Sequence, residues 1–430
     1  MLGICLIVIS IQFEAVREKH AFIKLPGITR YLLILAILQG IFQRASSQTA
    51  DKIINDLVQS GFENLRCIIT EDTCYVSIEN YTFRWDVMAI SKALDIIASD
   101  LDGAFEINLL ILDNSVPQKL INVNTTDWKD FSSEIMDAKS FSDKISIAYS
   151  TGGTSAKLRG AEVINPGVRK FDLVIYPQLY FENTLLNKFY ETQVNIAPAL
   201  KFSLWKGNRF TGQVIFPLQN SLGYEGDHIR PGILTVSQEF RLSDNLFSTV
   251  SAGNFSNSLY GISASVRLYV FNGYCNLEMT NGLIGSSHFI DREWIHSRLD
   301  RFTCSLAISW FWSRFNMELK AGGARYINED YGLFATCLRH FNETAVGLYV
   351  QAGKSSRNGG FFFSIPLPCK RRPDRRFFRI SLPSQYGFTY NAGTEYFYGQ
   401  TLRTEFNSIY EDRFTWDQSL KNMIINLKNY

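Results

Sequence analysis

Tyr260 to Val270 reads YGISASVRLYV. Tyr260, Ile262, Ala264, Val266, Leu268 and Val270 fall on one face, and Gly261, Ser263, Ser265, Arg267 and Tyr269 on the other. A period of two is the mark of a strand in a sheet with unlike faces. Val194 to Leu204, Phe302 to Ser313 and Val346 to Gly353 alternate in the same way. Each run has about 8 to 12 residues, longer than the usual 5 to 6 of a soluble strand and suited to the roughly 9 to 11 of a tilted strand crossing a bilayer. One face is apolar and the other small or polar, as lipid outside and a lumen inside require.

The links between the runs alternate in length. Short ones centre on Lys206-Gly207-Asn208, Ser243-Asp244-Asn245, Phe271-Asn272-Gly273, Ser313-Arg314-Phe315 and Phe341-Asn342-Glu343. Those between them are longer or more polar: Ser221 to Gly232, Gly285 to Arg301, Tyr326 to Asp330 and Lys354 to Gly359. Short periplasmic turns and long outer loops make this pattern in outer-membrane barrels. The expected fold is therefore mainly β: a transmembrane antiparallel barrel of about fourteen strands, within a range of about twelve to sixteen, over residues 166–405. The tail, 406–430, is either helical or a closing strand. Aromatics at the run ends, among them Phe171, Trp205, Trp310, Trp312 and Phe361 to Phe363, fit interfacial girdles.

Composition agrees. The chain has 430 residues, with 43 Lys and Arg against 41 Asp and Glu, so its balance gives no reason to expect a nucleic-acid partner. It holds 33 Phe, 20 Tyr and 7 Trp, a high aromatic load that favours strands over helices. Mean hydropathy is -0.05, and no apolar run reaches the roughly 18 residues of a spanning helix.

Ahead of the strands the periodicity is mixed. Ile53, Ile54, Leu57 and Val58 share one helical face, and so do Val87, Ile90, Ala93, Leu94 and Ile97. Short strands separate them, so residues 49–165 are expected to form a small α+β module in the periplasm. Residues 1–48 are expected to be a signal peptide, with Leu32 to Phe42 as its apolar core and small residues at Ala45-Ser46-Ser47. One reading of the extra stretch Met1 to Ala15 is that translation begins near Val16. Cys67 and Cys74 bracket a hairpin; with Thr70-Glu71 as its tip the thiols face each other, either as a disulfide or as two reduced buried groups.

By parity Glu239, Arg241, Arg267, Glu278, Glu318 and Lys320 point into the lumen, either bracing the wall or facing solute. Lys370, Arg371, Arg372, Arg375 and Arg376 form a basic run on the periplasmic side, near headgroups or an anionic polymer, or simply solvated. His228, His288 and His296 lie in outer loops near Asp227, Asp291 and Asp300, where a rim hydrolase would place acid–histidine pairs. No GxSxG or HExxH motif is present, and no catalytic, cofactor or metal residue is expected.

Several local motifs are similar to the YjbH-type, GfcD-related outer-membrane proteins of exopolysaccharide and group 4 capsule systems. They include Phe216-Pro217-Leu218, Ile229-Arg230-Pro231-Gly232, Ser251-Ala252-Gly253-Asn254-Phe255 and Asp330-Tyr331-Gly332. The strand end Gly359 to Pro368 belongs with them, as do Gly61-Phe62-Glu63-Asn64 and Tyr81-Thr82-Phe83-Arg84-Trp85 in the module. The resemblance implies a non-enzymatic barrel in a Gram-negative outer membrane, helping an exopolysaccharide or capsule through or onto that membrane. Its partners would be outer-membrane lipid, polysaccharide and periplasmic or outer-membrane export proteins. A diffusion porin or uptake channel is the alternative, and a rim-active hydrolase a third.

Overall fold

A computed structural model describes residues 47–182, 191–372 except 223, 257, 328, 355 and 356, then 377–391, 402, 404 and 416–427. Of the expected signal peptide, 1–48, residues 1–46 lie outside the described residues, as do Arg375 and Arg376 of the basic run.

The first body is a five-stranded sheet backed by helices. Helix α1 spans 47–59. A hairpin of β1 (Phe62–Ile69) and β2 (Thr73–Asn80) leads into α2 (Asp86–Asp100). Then come β3 (Glu106–Asp113), β4 (Val116–Asn124), α3 (Thr125–Ser132), α4 (Ala138–Lys144), β5 (Ser146–Ala148) and α5 (Thr154–Leu158). The strands lie in chain order, and β2 and β3 are parallel because α2 crosses between them. Val87, Ile90, Ala93, Leu94 and Ile97 of α2 face the sheet, as their spacing predicts. Asn124 caps α3 through its side chain, and Asp137 caps α4.

One helix of this body comes from the far end of the chain. In α6 (Asp417–Asn426), Leu420 and Ile424 are buried in the same apolar core as Ile53 and Leu94. Burying each contributes roughly 1.5–3 kcal/mol.

The β1–β2 hairpin corrects one expectation. Its tip is Glu71-Asp72, closed by the Thr70 N–H donating to Thr73 O at 2.9 Å, not Thr70-Glu71. The register therefore slips, so that Cys67 faces Val76 and Cys74 faces Ile69. Both thiols are free and lie diagonally across the ladder. The shared thiol hydrogen bond, then burial, pushes the Cys74 thiol well up.

The second body is a fifteen-stranded sheet. It runs through β6 (Phe171–Glu182), β7 (Glu191–Phe202), β8 (Asn208–Asn220), β9 (Arg230–Ser243), β10 (Leu246–Phe255), β11 (Leu259–Val270) and β12 (Cys275–Ile290). It continues through β14 (Arg301–Trp312), β15 (Met317–Arg325), β16 (Tyr331–Phe341), β17 (Thr344–Gly353) and β18 (Arg357–Pro366). Every one of these neighbours is antiparallel. β13 (Glu293–His296) folds back on the long end of β12.

The hydrogen-bonded order is a path, not a ring, and its ends are β19 (Phe378–Ser381) and β20 (Gln385–Asn391). These are two pieces of one passage, joined by Leu382, Pro383 and Ser384. β20 pairs antiparallel with β18, whereas β19 pairs parallel with β6. The parallel pair corrects the expectation of a purely antiparallel sheet. Its cause is direction: β18 runs back to the turn end, so the β19–β20 passage leaves from the same end as β6 and must run alongside it. The two edges also touch farther up, where the Phe181 and Phe388 rings are 5.7 Å apart.

One face of this sheet is apolar and exposed, including Ile262, Leu306 and Ile308 at 51%, 60% and 50% exposure and Leu348 at 63%. The opposite face carries Ser263, Ser265, Ser305 and Ser309 and lines a cavity. The five short turns all lie at one end, and there the module is docked. Leu402 packs at the other end, against Phe255, Leu259, Ile284 and Ile327, while Trp416 stacks on Phe311 at the turn end, 5.5 Å apart.

Candidate functional site

The polar face of the sheet and the top of the module together line a cavity of about 910 Å³. Its wall carries eight acidic and eight basic side chains, so it has no dominant sign. Glu63, Glu79, Asp113, Gln118 and Tyr149 reach it from the module and form its floor.

Five of the six parity residues line it: Glu239, Arg267, Glu278, Glu318 and Lys320. They do so in pairs. Glu278 lies 3.2 Å from Arg267 and 3.3 Å from Lys320. Glu318 lies 3.9 Å from His340 and accepts a hydrogen bond from Trp416 Nε1 at 2.9 Å. Glu239 accepts from Gln118 Nε2 at 2.9 Å. Arg241 sits lower, at the turn end, and donates to Pro117 O at 2.9 Å and to Tyr149 O. It serves the junction with the module rather than the cavity.

Four of the five short turns are hydrogen-bonded to the module. Gly207 N–H donates to Asn114 O at 2.9 Å, and Asn114 Nδ2 returns a bond to Asn208 O at 2.7 Å. Ser150 Oγ bonds Asp244 Oδ2 at 2.8 Å. Arg84 grips Glu343 with both forks, at 2.6 and 2.7 Å. Ser419 Oγ of α6 meets Asn316 Oδ1 at 3.3 Å. Two fork-like bonds between Arg and a carboxylate fix orientation as well as distance.

The described part of the basic run is spent on the same junction. Arg371 donates to Ser60 O at 3.3 Å and lies 5.7 Å over the Phe83 ring. Arg372 donates to Tyr81 O at 3.2 Å and to Ser384 Oγ. The Lys370 carbonyl accepts from the Arg84 N–H at 3.1 Å.

Several ionisable groups are displaced at this floor. Burial, with Asp113 adding to it, pushes the Glu79 carboxyl up to about 7, against the Ser115 N–H and Asn64 amide that favour its charged form. Its oxygens accept from the Asn114 and Ser115 N–H groups at 2.9 and 2.8 Å, holding a turn whose two residues have φ of 49° and 64°. Such values are strained for residues other than glycine. Tyr81 is raised to about 12, chiefly by burial, with Arg379 lying 3.4 Å over its ring. Arg379 also bonds Glu63 and Asp172. At the centre, Lys119 and Asp417 form a sealed ion pair. Burial lowers Lys119 to about 8 and raises Asp417. The Lys119 ammonium lies 4.1 Å over the Tyr149 ring, which stacks on Tyr269 at 3.9 Å.

The three loop histidines are not brought together. His228 is exposed before β9, His288 pairs across from Ile295, and His296 stacks on Trp294 at 5.5 Å. Among the described residues no group of His, Cys, Asp and Glu is arranged to hold a metal ion, and no helix is long and apolar enough to cross a membrane. The sequence reading missed Glu79, Lys119, Asp417, Asn276 and Ser309. Parity extended to small polar residues would have found the last two.

Residues 36–232 match the YjbH family model, described as exopolysaccharide biosynthesis protein YbjH. The match spans the module and the first strands of the large sheet, and it supports the YjbH-type resemblance carried by the local motifs. No curated protein matches the chain. Among solved structures, it is similar to a loop L8 deletion mutant of OmpT, an outer membrane protein of Vibrio cholerae, at 7% identity and a TM-score of 0.23, over 45% of this chain and 85% of that one.

Proposed function

From the YjbH-type match over residues 36–232, we propose that this protein assists the export or surface assembly of an exopolysaccharide or capsule, as a β-barrel in a Gram-negative outer membrane. The family match is the observation that carries the reading. The architecture supports it: an exposed apolar face such as Leu306, Ile308 and Leu348 suits lipid, and a hydroxyl-rich face suits a polar interior. The parallel seam of β19 on β6 and the Phe181–Phe388 contact bring the sheet's edges together, so we read the wall as closed. The module then lies on the periplasmic side, where short turns belong.

The diffusion-porin reading is weaker, because a module is bonded across one end of the interior through Arg84–Glu343, Asn114–Asn208 and Ser150–Asp244. An open pore needs no such floor. No catalytic role is proposed for His228, His288 or His296.

The test is surface polysaccharide in a clean deletion of the gene, with a plasmid copy as control. Loss of surface polymer, or its accumulation in the periplasm, is expected. Unchanged surface polymer in the deletion contradicts the reading.

A further inference from the structure

We propose that a row of side chains on the interior face, Tyr269, Asn276, Ser309, Lys320, Thr336 and Tyr349, binds a short uncharged stretch of polysaccharide. This rests on the polysaccharide reading above and assigns it a site and a ligand class.

The row is set by register. Tyr269 is the direct partner of Asn276, Asn276 of Ser309, Ser309 of Lys320, Lys320 of Thr336, and Thr336 of Tyr349. Direct partners share a face about 4.5–5.5 Å apart, so six consecutive strands present one continuous polar line. All six residues line the cavity. A phenol stands at each end, and hydroxyl, amide and ammonium groups lie between.

Asn276 gives the line a purpose beyond packing. It is 3% exposed, and its Oδ1 has no hydrogen-bond partner. Leaving such an acceptor empty costs about 1–3 kcal/mol, which a bound donor recovers. Gln351 Oε1, also on the cavity wall, is a second acceptor without a partner. The chemistry that suits this wall is a group that donates and accepts at once, and saccharide hydroxyls do both.

The charges argue against a polyanion. Lys320 is paired with Glu278, Arg267 with the same Glu278, and acidic and basic side chains of the wall are equal in number. No net field remains to hold a chain of carboxylates. The cavity of about 910 Å³ is at the upper end of small-molecule sites, which run to roughly 1,000 Å³. That is room for a short oligosaccharide.

The experiment uses the full chain in detergent micelles, titrated by calorimetry with oligosaccharides of about four to eight sugars cut from the producing strain's own exopolysaccharide. The intact protein should bind them, with little change between low and high salt. Asn276→Leu should weaken binding about tenfold, the effect of roughly 1.4 kcal/mol. Thr336→Val, a milder change, should weaken it less, and circular dichroism checks that both variants are folded. Three results overturn the proposal: no binding to the intact protein, both folded variants binding as tightly as the intact protein, or binding abolished by salt. None of them touches the parent reading, which falls only if the deletion strain keeps its surface polymer.

Discussion

Lys119 of β4 and Asp417 of α6 are 298 residues apart in the chain and form an ion pair sealed from solvent. Through that pair, the last helix closes the core of a module built from the first strands. Removing one partner strands the other charge in an apolar place, which costs about 3–5 kcal/mol. Asp417→Leu should therefore release α6 and expose the C-terminal tail to protease. Lys119→Met combined with Asp417→Leu should restore much of the loss, because paired apolar side chains replace paired charges with little penalty. Thermal unfolding and limited proteolysis of the three variants check this.

Gly273 stands beside that pair with φ of +80°, and a Cβ there would come within 2.7 Å of Asp417 Oδ2 and 2.9 Å of the Tyr149 ring. Gly273→Ala combines left-handed backbone strain of roughly 1–2 kcal/mol with a clash at the junction. We expect a lower unfolding temperature and a tail that digests faster. Gly103→Ala, at φ +105° with nothing near, is the control for backbone strain alone.

Glu79 makes the junction sensitive to pH. Its carboxyl is raised from 4.5 to about 7, so the folded protein holds this proton more tightly than the unfolded chain. The stabilisation from protonation is complete below about 4.5 and is lost as pH rises through about 7. Unfolding temperature from this group should thus fall between pH 5 and pH 8. Glu79→Gln, which stays neutral, should flatten that part of the profile. A profile as steep in the variant as in the parent assigns the pH dependence elsewhere.

The two faces of the sheet should respond differently to charge. Ile308 is exposed on the apolar face, and Ser309 faces the cavity. An arginine on a lipid face costs about 2–4 kcal/mol near the bilayer midplane. Ile308→Arg should lower the amount of folded protein recovered from the outer membrane, and Ser305→Arg, on the polar face, should do so much less.

Tyr260 to Val270 was readable because one face of the sheet is exposed and apolar and the other lines a polar cavity, so a period of two survives in the sequence. The β19–β6 seam was not, because Phe378–Ser381 is only four residues long and carries no pattern. Nor was the junction. Lys119 reads as an ordinary strand lysine until the fold brings Asp417 to it. The run at Lys370 to Arg376 shows charge but not partner, and only three dimensions reveal Arg371 and Arg372 bonded to the module. At Cys67 and Cys74 the hairpin was legible, but its tip lay one residue farther on, at Glu71-Asp72, and that alone moved the thiols out of direct register.

Conductance in a planar bilayer most directly tests the proposed barrel whose polar interior is floored by the module. The intact protein should show no steady open channel, and cutting the floor with Arg84→Ala and Asn114→Ala together should produce openings. A stable porin-sized current from the intact protein, unchanged by those substitutions, would contradict the account and return the diffusion channel as the better reading.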